Sequence, residues 1–201
     1  MSQNVDGAGG FFYVLQDALR ILFVDDDPIL REFAQVHLTT ESAEVLVAQD
    51  GQAALEVLRE VRPDIVLLDL EMPRMDGFEA LMRLRADPAH ERTPVIVVTG
   101  REDVAAIDRA FQAGATSFVS KPLNWRLISY QIRYVHRACR TEQGLRAEAE
   151  AATAALGDLC AAGSRFLAGA LGVAPDVKAH AAPYLEALEA AHRRAPARET
   201  G

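Results

Sequence analysis

The chain has 201 residues, half of them apolar and a quarter charged, with a formal net charge of −8. This is enough for one ordinary domain with a sizeable core plus an appendage, and it excludes a chain left disordered by its composition. The charge is uneven: residues 1–122 hold 21 acids and 11 bases, and residues 123–201 hold 8 acids and 10 bases, so the first part is unsuited to nucleic acid, whose phosphates select a surplus of Lys and Arg.

No apolar run approaches the roughly 18–20 residues needed to cross a bilayer, and residues 1–10 place no Lys or Arg ahead of an apolar stretch. Membrane association is therefore not expected. The two cysteines, Cys139 and Cys160, have neither disulfide nor metal-knuckle spacing, which suits a reducing compartment, and the expected location is the cytoplasm. Neither cysteine is assigned a role.

Residues 1–17 read as an N-terminal extension. After it, short apolar runs recur at Leu19–Val24, Val45–Ala48, Ile65–Leu68, Val95–Val98 and Thr116–Val119, each bounded by polar or turn residues. They predict buried strands. Segments with helical spacing lie between them, such as Ala53, Ala54, Val57, Leu58 and Val61, or Phe78, Leu81, Met82 and Leu84. Five alternations of this kind need crossover connections, which give a parallel sheet covered by helices on both faces.

Beyond Lys121-Pro122 the pattern changes. An Ala-, Arg- and Glu-rich stretch from about Leu123 to Leu159 contains no Pro and predicts a helix that outlasts the domain at 18–140 and enters a helical tail at 141–201. A heptad register places Ile128, Val135, Ala149 and Leu156 at one seam position and Ala138, Leu145, Ala152 and Leu159 at the other, interrupted by Gln131 and Glu142. A parallel two-stranded coil is the expected use of that seam. Gly163, Gly169 and Gly172 are expected to break the helix, with a further short helix over 175–194 carrying Tyr184, Leu185 and Leu188 on one face. Arg126, Arg133, Arg137 and Arg140 fall at helical spacing, and two uses stand open for them: a solvated stripe or docking on an acidic surface.

In open parallel sheets the chemistry gathers outside the carboxyl ends of the strands. The first strand ends in Asp25-Asp26-Asp27-Pro28 and the third in Asp69-Leu70-Glu71-Met72-Pro73; the fourth ends in Thr99-Gly100 and the fifth in Ser120-Lys121-Pro122. Gathered carboxylates need counter-charge, and an oxygen-rich site of this kind suits Mg2+. A carboxylate nucleophile, a divalent cation, a hydroxyl and a Lys point charge make up a kit for phosphoryl transfer. Asp27 is set apart as the N-cap of the helix that Pro28 begins. The five histidines are scattered and read as structural or solvated.

Residues from about Leu19 to Arg140 resemble the receiver domain of two-component response regulators. The resemblance rests on Asp25-Asp26, Asp69 with Met72-Pro73 and Met75-Asp76-Gly77, Thr99-Gly100, Ala113-Gly114-Ala115, Phe118 and Lys121-Pro122. It implies a flavodoxin-like, doubly wound, five-stranded parallel sheet in the order 2-1-3-4-5. It also implies that Asp69 accepts a phosphoryl group from a histidine kinase or histidine phosphotransfer protein. Asp26 and Asp69 would hold Mg2+ through carboxylates, Glu71 through its backbone carbonyl and Asp25 through a water, while Lys121 pairs with Asp69 and then with the phosphoryl oxygens. A cis Lys121-Pro122 bond and backbone-freedom roles for Gly77 and Gly114 follow in the same way.

Thr99 and Phe118 would form the switch, changing the face of helix 4, strand 5 and helix 5. That face or the tail helix would then serve a homodimer or an unknown downstream protein. Only self-directed phosphotransfer and dephosphorylation are expected, with no further enzyme activity. Glu71 and Arg101 flank the family's hydrolytic-water position, and their pairing would give an acyl phosphate lasting minutes or longer. The alternatives are a relay passing phosphate to another protein's histidine, and a truncated receiver of a cyclic-dinucleotide protein. A phosphatase with an Asp nucleophile would carry a second Asp at position 71, where Glu stands.

Overall fold

The computed structural model describes residues 15, 18–100 and 104–171. The chain divides into two compact units, Met1–Arg140 and Thr141–Gly201. Elements follow in the order β1 (Leu19–Val24), α1 (Pro28–Leu38), β2 (Ala43–Ala48), α2 (Gly51–Glu60), β3 (Ile65–Asp69), α3 (Gly77–Ala86), β4 (Val95–Thr99), α4 (Val104–Gln112), β5 (Ser117–Ser120) and α5 (Trp125–Leu171). All five strands run parallel in the order β2-β1-β3-β4-β5, the expected doubly wound sheet.

Alternation along each strand divides the core in two. Leu22, Val24, Val66, Leu68, Val95 and Val97 face α2, α3 and α4, where they meet Ala54, Leu58, Leu81, Leu84 and Ala110. Ile21, Phe23, Ile65, Leu67, Ile96 and Val98 face α1 and α5, where they meet Ala34, Leu38, Ile128, Ile132 and Val135. Both faces of the central strands are covered, which is why these strands read as unbroken apolar runs.

Three helices start on aspartates that satisfy otherwise unpaired amides. Asp27 accepts from Ile29, Asp50 from Ala53 and Asp76 from Glu79, each at 2.8 Å. Asp27 is thus the N-cap that its position before Pro28 predicts. Gly114 has φ +97°, the left-handed backbone expected of it. Gly77 differs from expectation, because its need is space: an added Cβ would collide with the Asp69 carbonyl oxygen and come within 2.7 Å of Leu70 Cα. Helix α3 therefore starts pressed against the end of β3.

Helix α5 corrects two expectations. Ile128 and Val135, assigned to a coiled-coil seam, are buried with Ile132 against the sheet, so no seam is available before residue 140. Gly163 and Gly169, assigned as breaks, lie inside the helix, which continues to Leu171. One Gly costs about 1 kcal/mol in a helix interior, a cost an Ala-rich surrounding tolerates. Apart from Leu15, the N-terminal extension lies outside the described residues, as do Gly172 and the helix expected over 175–194. Among the described residues no helix is long and apolar enough to cross a membrane.

Since Ile132 is wholly buried while Tyr134, two residues on, is exposed, their truncations separate cleanly. Ile132→Ala lowers the free energy of urea unfolding by about 2–5 kcal/mol, whereas Tyr134→Ala changes it by less than about 0.5 kcal/mol.

Candidate functional site

The register of the sheet brings the strand ends together. Val24 pairs with Leu68, so Asp25 and Asp69, each the next residue, leave adjacent strands side by side. Asp69 pairs with Val98, and Thr99 with Ser120, which sets the hydroxyl and Lys121 at the same rim. The Lys121 amide donates to the Thr99 carbonyl at 2.9 Å, and Lys121-Pro122 is cis.

At the centre, Lys121 Nζ lies 2.7 Å from Asp69 Oδ2 and 2.9 Å from Asp25 Oδ2. Both aspartates are buried. Asp69 Oδ1 accepts the Glu71 amide at 3.1 Å, and Asp25 Oδ1 accepts the Asp27 amide at 2.9 Å. Asp25 Oδ2 is within ion-pair reach of the ammonium but has no aligned hydrogen-bond donor. Asp26 completes the cluster from the exposed side, and one carboxylate oxygen from each of Asp25, Asp26 and Asp69 lies within 4.8 Å of the others.

Burial and the neighbouring charges both act on how the two partners titrate. Burial pushes the Asp69 carboxyl above the ordinary aspartate range; hydrogen bonds from Lys121 and Glu71 pull the other way, and the charge of Asp25 adds to the rise. Burial works to lower the Lys121 ammonium, but its hydrogen bond to Asp69 and the negative charges of Asp69 and Asp25 beside it outweigh this and raise it above the ordinary lysine range. A site with three carboxylates, one ammonium and a buried oxygen lacking a donor fits a hard divalent cation on its chemistry.

The other predicted residues fall as follows. Thr99 is buried at the end of β4, and Glu71 lies on the exposed turn after β3, held to Asp69 through its amide. Phe118 is 41% exposed on the outer side of β5, with its ring edge-on to Phe111 at 6.2 Å. Arg101 lies outside the described residues, and with it the expected Glu71–Arg101 pair. His90 and His136 are buried, the former with Nε2 2.8 Å from the Leu58 carbonyl, and His37 stacks on Trp125 at 5.7 Å, all structural placements.

Two supporting residues escape a reading of motifs. Arg31 Nη1 donates to the carbonyls of Asp25 at 2.6 Å and Asp26 at 2.9 Å, which fixes the acidic turn from one helical turn into α1. A base one turn after an acidic strand end is the only sequence signal for it. Arg74, with φ 69°, reaches back across the fold to pair with the buried Asp50 that caps α2. This ties the β3–α3 turn, which carries Glu71, to the start of α2, and nothing local in the sequence announces it.

A family model described as the response regulator receiver domain matches residues 21–133. The chain is 38% identical over 114 residues to the DNA-binding response regulator MtrA of Mycolicibacterium smegmatis, a match covering 57% of this chain and 49% of that protein. It is 34% identical to the regulatory protein AtoC of Escherichia coli, covering 61% of this chain and 29% of that one. The chain therefore spans half the length or less of these curated relatives.

Among solved structures it is similar to a CheY-like response regulator receiver domain protein from Methanospirillum hungatei, with a TM-score of 0.58 and 26% identity over 63% of this chain and 99% of that one. It is also similar to the chemotaxis protein CheY4 of Vibrio cholerae, with a TM-score of 0.56 and 28% identity over 58% of this chain and 98% of that one.

The raised Asp69 carboxyl has a sign that unfolding experiments can read. Its folded-state value lies above its unfolded one, so the folded protein holds its proton to higher pH, and stability is lost as pH rises through that interval. Asp69→Asn removes the charge that burial penalises. Without added metal, its thermal midpoint lies a few degrees above that of the unsubstituted protein at neutral pH, and the gain shrinks towards zero as pH falls below the ordinary carboxylate range.

Proposed function

Because this chain belongs to the response regulator receiver family, we propose that it is a phospho-acceptor switch in which Asp69 takes a phosphoryl group from a histidine kinase or histidine phosphotransfer protein and α5 carries the result onward. The observation that supports this most is the buried Asp69 carboxylate, facing one ammonium and two further acids at a strand-end rim. In the transfer, a carboxylate oxygen of Asp69 attacks phosphorus, the bond from phosphorus to the donor nitrogen breaks, and that nitrogen keeps the electron pair. The product is an acyl phosphate on Asp69.

Lys121 is placed to follow the charge. Its ammonium now pairs with Asp69 Oδ2, and after transfer it pairs with a phosphoryl oxygen without leaving the rim. Asp25, Asp26 and Asp69 would hold Mg2+ together with the Glu71 carbonyl, and that cation would supply positive charge for the phosphoryl oxygens. Thr99 would donate its hydroxyl to the new group. A donor protein has a landing surface beside the acids, because Ile29, Phe33 and Val36 form one exposed apolar face along α1, starting two residues after Asp27.

Output follows from differential contacts, since phosphorylation acts on a partner only if that partner binds the two states unequally. Phe118 and Phe111 sit exposed between β5 and α4, and a swing of Phe118 towards the Thr99 side would remodel that face. Val104, Leu127, Tyr130 and Tyr134 add further exposed apolar surface on α4 and α5. We assign output to protein contacts, by homodimerisation through this face or the tail helix, with chemistry confined to the chain's own phosphorylation and dephosphorylation.

A radiolabelled small-molecule phosphodonor tests the reading. With Mg2+, the chain takes up acid-stable, base-labile label, and Asp69→Asn takes up none. Lys121→Ala slows uptake by about tenfold or more. After donor removal the label persists for minutes or longer. Undiminished labelling of Asp69→Asn would overturn the reading, and loss within seconds would overturn the lifetime.

A further inference from the structure

Beyond residue 140 the described part of α5 exposes its large apolar side chains: Leu145 is 64% exposed, Leu156 63%, Leu159 70% and Phe166 77%. They share one stripe with small residues. Leu145, Ala152, Leu159 and Phe166 recur every seven residues at one position, and Ala149, Leu156 and Gly163 at the other. This stripe, about 36 Å long from Glu142 to Phe166, is covered by nothing described within its own helix.

We propose that the stripe is an interface with a second copy of this chain, packed antiparallel with its two-fold axis beside residue 154. This rests on the homodimer reading above and fixes its geometry, replacing the parallel coil that the heptads alone suggest. The large and small residues decide the direction.

In the antiparallel arrangement each layer joins one large and one small side chain. Leu145 meets Gly163 of the second copy, Ala149 meets Leu159, and Ala152 meets Leu156, each layer being repeated across the axis. Every layer then fills a similar width, and the helices stay at one spacing along the whole stripe, as close packing requires. In the parallel arrangement, identical residues face each other. Leu and Phe layers would alternate with Ala-on-Ala and Gly-on-Gly layers, leaving voids wherever the bulky layers hold the helices apart.

Charge points the same way. In the parallel pair Glu142 would occupy a seam layer against Glu142 of the second copy, with like charges directly opposed. In the antiparallel pair it falls opposite Phe166 at the end of the stripe, where its carboxylate reaches water. The flanks agree, because reversing one helix sets Arg146 opposite Cys160, Thr153 near its own copy and Glu148 opposite Ala155 and Ala162. No like charges meet. Arg146 and Glu150, paired within the helix at 3.0 Å, keep that pairing on the outer surface.

Sedimentation of the unsubstituted full chain and disulfide trapping test this together. In a Cys139→Ala, Cys160→Ala background, single Leu145→Cys and Gly163→Cys chains are prepared and oxidised apart and as an equimolar mixture. The mixture is expected to cross-link several-fold more than either chain alone, since only it brings the two thiols into one layer. Efficient linking of Leu145→Cys chains to themselves would overturn the antiparallel geometry and leave the dimer reading standing, as would a dimer that cross-links in no combination. A chain that sediments as a monomer at every concentration, its stripe covered by residues 172–201 or by nothing, would overturn both.

Discussion

One ammonium between two buried carboxylates is the interaction on which the rest of this molecule depends. Lys121 lies 2.7 Å from Asp69 and 2.9 Å from Asp25, with Asp26 close by and no second cation among the described side chains of the cluster. Burying an unbalanced group of acids is costly, and here it is only partly compensated. Burial raises the Asp69 carboxyl, with the charge of Asp25 adding to it, and the two carboxylates beside Lys121 raise its ammonium. A site in this condition gains from a divalent cation. In the proposed function, a phosphoryl group would arrive where a fixed positive charge already waits, with little rearrangement required.

The fold maintains this arrangement by placing charge only where the backbone already ends. Parallel pairing of β1, β3, β4 and β5 lines up the carboxyl ends of four strands, and behind the ends of β1, β3 and β4 lie the buried apolar runs Ile21–Val24, Ile65–Leu68 and Val95–Val98. The acids cannot withdraw into the core or drift away. Asp27 and Asp76 are spent as helix caps, Arg31 clamps the carbonyls of the acidic turn, and the Arg74–Asp50 pair secures the turn after Asp69. Gly77 lets α3 begin directly against β3, which keeps that turn short.

Much of this was legible in the sequence, and the boundary has physical causes. Unbroken apolar strands and strand-end polar residues are local patterns, so the sheet, the gathering of Asp25, Asp26, Asp69, Thr99 and Lys121 at one rim, and the capping role of Asp27 could be read directly. Long-range pairing has no local pattern, so Arg74 was missed although its partner Asp50 lies only one strand away. Periodicity also fails to say what a helix packs against: Ile128 and Val135 fit a heptad equally well whether they meet a second helix or, as here, the sheet. Gly163 misled because a helix rich in Ala tolerates a weak position. The direction of pairing along the tail lay in the sizes of the seam residues, which a register of apolar positions ignores.

Burial of Asp69 beside a second acid can be read by following its side-chain carboxyl carbon by NMR across pH. The expected metal-free midpoint lies above that of an ordinary aspartate and falls when Mg2+ is added. An ordinary or depressed midpoint without metal, unmoved by Mg2+, would contradict it.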